Sequence, residues 1–107
     1  MTRSIRIYSL LAAVILMAGA VGFAQSSGEA TYKAKCQSCH GAEGMPNPGI
    51  AKLMGVKPAS DPSVKAHSEA QMITAVRDGM GKMKAFKGNL TDAQIKDSVD
   101  YFRSLAK

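Results

Sequence analysis

Polar and apolar positions divide the chain into a leader and three helical stretches. Leu10 to Val21 is almost wholly apolar, is preceded by Arg3 and Arg6, and is followed by Gly22, Phe23 and Ala24. A basic start, a short apolar run and small residues where a signal peptidase reads are the marks of a secretory signal. Residues 1–24 are therefore expected to be a signal peptide cut after Ala24. The run is short for a membrane span, so a membrane location requires the leader to be kept as an anchor. Residues 25–107 are expected to form one small domain.

Within that domain the first helix is announced by Ser26 and Glu29, a capping box in which the two residues satisfy each other's backbone donors. Helical spacing then puts Gly28, Tyr32, Cys36 and, one turn further, Cys39 near one face. His40-Gly41 ends the helix, and Ala42 to Pro58, which includes Pro46-Asn47-Pro48-Gly49, reads as loop, with a short helical turn at Ala51 to Met54. Ser68 and Gln71 repeat the capping box ahead of Met72, Ile73 and Val76, with Gly79 as the stop. Gly79 to Gly88 is a methionine-bearing loop. Thr91 with Gln94 caps a last helix whose apolar positions are Ile95, Val99, Phe102 and Leu105 or Ala106, with Tyr101 beside them and a hydrophobic staple expected between Leu90 and Ile95. No strand-like alternation and no internal repeat is present, so the domain reads as all-α with about three to four helices.

The chemistry is concentrated in Cys36-Gln37-Ser38-Cys39-His40. C-x-x-C-H is the attachment pattern of a c-type haem: two thiols on neighbouring positions of a helix reach two vinyl groups, and the following histidine offers an imidazole to the iron. Three other readings of the pair are a disulfide, a zinc site and a thioredoxin-type redox pair. The first would close too short a loop to constrain much unfolded-chain entropy. The second lacks ligands, since the two cysteines are joined only by His40 and His67. The third needs alternating strands and helices. An axial imidazole ordinarily donates its other N–H to a carbonyl, and the proline-rich loop offers one, Pro48 being the expected acceptor.

Composition narrows the partners. The whole chain carries a formal charge of +6, with three Tyr, three Phe and no Trp, too few aromatic platforms for a nucleic-acid binder. A domain this small seldom builds a sufficient core alone, and a buried, covalently tied haem would supply one. Export also suits covalent haem attachment, which points to a periplasmic location.

A sixth iron ligand would turn an open haem into an electron carrier. The candidates are His67, Met45, Met54, Met72, Met80 and Met83, of which Met80 and Met83 lie in the glycine-bearing loop. Gly28, Tyr32, the C-x-x-C-H at 36–40 with Gly41, the helix closing at Gly79, the methionine loop and the last helix through Tyr101 to Leu105 together resemble a small bacterial class I cytochrome c. The resemblance implies an all-α class I fold around one covalently bound haem c. It also implies Cys36 and Cys39 as thioether positions, His40 as proximal iron ligand and Met83 as distal ligand, with Met80 the alternative. Lys82-Met83-Lys84-Ala85-Phe86 follows the family's ligand run but has Lys84 where proline is usual. The implied function is that of a soluble one-electron carrier, not an enzyme, serving redox protein partners. Lys82, Lys84 and Lys87 would face acidic docking surfaces. The alternative is a haem enzyme or gas sensor with a labile distal ligand.

Overall fold

The computed structural model describes residues 27–107; the leader and the Ser26 cap lie outside the described residues. Six helical segments follow one another: α1 over residues 27–35, then α2 (Gln37–His40), α3 (Pro48–Met54), α4 (Pro62–Lys65), α5 (Glu69–Asp78) and α6 (Asp92–Ser104). No strand occurs among the described residues, only isolated bridges at Met80–Met83 and Lys87–Leu90. The all-α expectation is met. The longer helices stand where the capping patterns put them, and the shorter ones fill the connections.

Both fully described capping boxes form. The Gln71 N–H donates to Ser68 Oγ (3.1 Å) and the Ser68 N–H to Gln71 Oε1 (2.8 Å). The Gln94 N–H donates to Thr91 Oγ1 (3.1 Å) and the Thr91 N–H to Gln94 Oε1 (2.9 Å). Each reciprocal pair removes two unsatisfied donors from a helix start. The connection after His40 differs from expectation. Pro48 is not loop but the first residue of α3, where its missing N–H costs nothing, and Asn47 Oδ1 caps the helix by accepting from Gly49 N–H at 2.8 Å. Asp61 and Pro62 repeat the arrangement at α4, with Asp61 Oδ1 accepting from Ser63 N–H at 2.9 Å.

The core is small: Tyr32, Ala59, Phe86, Ile95 and Val99 are its buried apolar members, and Tyr32 and Ile95 are each 1% exposed. Ser98 is buried among them with its hydroxyl donating to the Ile95 carbonyl (2.9 Å), so a polar group on the inner face of α6 is satisfied within its own helix. α5 packs on α6. α1 crosses α6 at Gly28, so closely that a Cβ there would collide with the Asp97 carbonyl oxygen. The crossing brings the Tyr32 ring to 5.2 Å from Tyr101 and 6.1 Å from Phe102 between centroids, within the range of favourable aromatic pairs.

Candidate functional site

The C-x-x-C-H segment is shaped from both sides. The helix pauses at Cys36, whose φ of −116° and ψ of −35° depart from regular values, and resumes for one turn as α2. Backbone bonds from His40 N and Cys39 N to the Cys36 carbonyl (3.0 and 3.2 Å) hold that turn, keeping the two half-buried thiols on adjacent positions. Gly41 ends it at φ +82°, a left-handed value that favours glycine, and a Cβ at Gly41 would also run into the Met45 carbonyl. The Tyr32 hydroxyl donates to the Gly41 carbonyl at 2.6 Å, closing a loop around both cysteines and His40. α6 completes the wall: the Phe102 ring meets the His40 ring edge-on at 5.2 Å.

The electrostatics of this pocket favour neutral groups. Both cysteines are free thiols. Burial, with a smaller contribution from Cys39, pushes the Cys36 thiol up to about 11. Cysteines built for disulfide exchange have the opposite shift, so the redox-pair reading loses its physical basis. Burial alone pushes His40 below its ordinary value, which keeps the imidazole in its neutral, metal-ligating form. His40 Nδ1 is buried with no hydrogen-bond partner. Pro48 does not supply the acceptor expected of it: as the first residue of α3 its carbonyl is directed along that helix. A half-buried neutral imidazole whose Nδ1 lacks a partner, next to two unpaired thiols, is a donor set that fits a covalently tethered, axially ligated iron.

Met83 stands on a separate element. Met80 and Met83 exchange backbone bonds (Met80 N to Met83 O, 3.1 Å; Met83 N to Met80 O, 2.9 Å) across a two-residue turn with Gly81 at φ +57°. Glycine at the first central position is what such a turn requires. The root of this loop is fixed to the end of α5 by Phe86 N–H donating to the Val76 carbonyl (3.0 Å) and Lys87 N–H to that of Arg77 (3.1 Å). Its tip reaches across to α3, where Lys82 Nζ donates to the Leu53 carbonyl at 2.7 Å. Met83 is half-buried, whereas Met80 is 60% exposed. Among the other methionines, Met45 is exposed, and Met72 lines a cavity of about 160 Å³ with Ala59 and Phe102. His67 is exposed ahead of α5. Of the lysines expected near the loop, all three are exposed, with Lys84 Nζ 5.3 Å from the Phe86 ring centroid, at cation–π distance.

Two residues were not singled out for the site by sequence: Phe102, seen only as a core position of the last helix, and Lys82 as a bridge to α3. The phase of α6, with Ile95, Val99 and Phe102 on one face, carried a signal for the first. The second is a contact across 29 positions and left no local signal.

The family model described as cytochrome c oxidase, cbb3-type, subunit III matches residues 23–102. The chain belongs to that cytochrome c family. It is also similar to the solved structure of the KustC0563 c-type cytochrome, with 28% identity and a TM-score of 0.68 over 75% of this chain and 98% of that one. No curated protein matches. A cytochrome c domain carries a covalently bound haem c with its iron and works as a haem-based electron carrier between redox proteins. Such domains typically face the periplasm or the cell exterior, and no described helix is long and apolar enough to cross a membrane.

Proposed function

We propose that this cytochrome c holds its haem through thioethers at Cys36 and Cys39, with His40 as proximal iron ligand and Met83 as distal ligand, Met80 being the alternative. The observation that carries the reading is the neutral, half-buried His40 imidazole, its Nδ1 without a partner, directly after two free thiols. Attachment adds each S–H across one vinyl group, so a C–S bond forms and nothing leaves. When bound, the haem supplies reversible one-electron exchange of its iron with a redox protein partner.

The protein's own residues then set the terms of that exchange. Tyr32, Phe102 and the Gly41 turn keep water from the proximal side, and a low-dielectric surround disfavours added positive charge on iron. The soft Met83 thioether works in the same direction by preferring the reduced metal. Both ligands sit on backbone fixed by hydrogen bonds, so little reorganisation accompanies the change of charge. The domain is read as a carrier rather than an enzyme, exported to the periplasm after cleavage near Ala24. Lys84, Lys87 and Lys82 around the methionine turn favour acidic partner surfaces.

Periplasmic expression with haem-maturation machinery tests the assignment. The mature polypeptide should weigh one haem more than its amino acids, its oxidised form should show a sulfur-to-iron charge-transfer band, and its reduced form should refuse carbon monoxide. Met83→Ala should lose the band and bind carbon monoxide, while Met80→Ala should do neither. Ready carbon monoxide binding by the native protein would replace the carrier reading with that of a gas sensor or haem enzyme.

A further inference from the structure

The methionine turn is anchored unevenly. Its root is tied to α5 by two backbone hydrogen bonds and packed tightly, since a Cβ at Gly79 would lie 3.1 Å from both the Met83 carbonyl oxygen and the Ala85 nitrogen. Its tip has no such support: Gly81 has open space around it and Lys82 is exposed. The bond from Lys82 Nζ to the Leu53 carbonyl joins that tip to the other half of the molecule. Leu53 lies in the last turn of α3, where a carbonyl lacks an intrahelical partner and the helix end carries partial negative charge. An ammonium donor at 2.7 Å satisfies both needs at once.

We propose that Lys82 is a positioning residue: by latching the turn to the C-terminal end of α3, it holds the Met83 side chain in place for the iron. The inference rests on the assignment of Met83 as distal ligand. Swinging Met83 away while the root stays fixed requires the tip to move, and the tip cannot move without breaking or straining the Lys82–Leu53 bond. An outside ligand that competes with Met83 binds only the opened form, so its apparent affinity is its intrinsic affinity reduced by the fraction open. Losing the latch raises that fraction.

Imidazole titration of the oxidised holoprotein, followed optically, reads this directly. Lys82→Ala should tighten apparent imidazole binding by up to about fivefold, the effect of one cation at an exposed helix C-terminus. Lys82→Arg, which can donate to the same carbonyl, should restore the native value. Lys52→Ala removes an equal charge from α3 one residue before Leu53 and should leave the value unchanged. Native affinity in Lys82→Ala, or an equal tightening in Lys52→Ala, would overturn the latch. If the native protein lacks the sulfur-to-iron band, the Met83 assignment fails and the latch falls with it. If the band is present and only the Lys82 titration is unmoved, the latch alone is wrong.

Discussion

Gly28→Ala is the sharpest test of how α1, which leads into the C-x-x-C-H segment, is held against α6. A methyl group at this position would lie against the carbonyl of Asp97 on α6, with the carbonyl carbon at 2.9 Å and Asp97 Cβ at 3.4 Å. An ordinary C···O contact is about 3.3–3.6 Å, so α1 and α6 would have to part by about 1 Å. The obstacle is backbone and cannot rotate away. Overpacking of this kind costs about 1–3 kcal/mol, while alanine regains at most about 1 kcal/mol of helix propensity. A net loss of about 1–2 kcal/mol follows, and in a domain of this size each kcal/mol lowers Tm by roughly 4–8 °C. Denaturant unfolding of the holoprotein should show a lower midpoint at an unchanged slope, the sign of lost stability rather than of a changed denatured state. A variant equal to or more stable than the native protein would mean that propensity had won and that the α1–α6 crossing is looser than described.

Tyr32→Phe removes the hydroxyl that donates to the Gly41 carbonyl and should cost about 1 kcal/mol in chemical unfolding. The same hydroxyl gives a pH signature: burial, with Cys36 and Tyr101 adding less, raises its pKa above the ordinary value of 10.0, so the folded state keeps a proton that the unfolded state releases. Stability should therefore be intact below pH 10 and fall as pH climbs beyond it, a fall that Tyr32→Phe lacks; identical alkaline melting of the two proteins would refute the burial argument. Thr91→Ala should destabilise α6 by about 1 kcal/mol through loss of its cap, measured by thermal melting, and an unshifted Tm would show the capping box to be dispensable. If the lysines around the methionine turn steer an acidic redox partner, raising ionic strength should slow the bimolecular electron-transfer rate. A rate indifferent to salt would remove the steering.

What the chain discloses on its own is what depends on neighbours in sequence. Ser68 with Gln71 and Thr91 with Gln94 announce their helices because each cap is a local exchange of hydrogen bonds. The same local logic misleads at Pro48: proline after asparagine reads as a turn, yet it is equally the best opening of a helix, and only the chain's path decides. The position of His40 is legible from the motif, but not the Phe102 ring beside it or the unpartnered Nδ1, since both depend on how α6 returns to α1. The Lys82–Leu53 bond belongs with these: lysines are numerous, and nothing in sequence says which of them finds a helix end.

The site is completed from two stretches far apart in sequence. Tyr101 and Phe102, which wall Tyr32 and His40, are synthesised long after the residues they touch. Closing so long a segment is entropically slow, and any chain that stops short of residue 101 leaves the Cys36–His40 turn with one side open. A prematurely terminated polypeptide would therefore present the C-x-x-C-H segment without the aromatic ring that lies against His40.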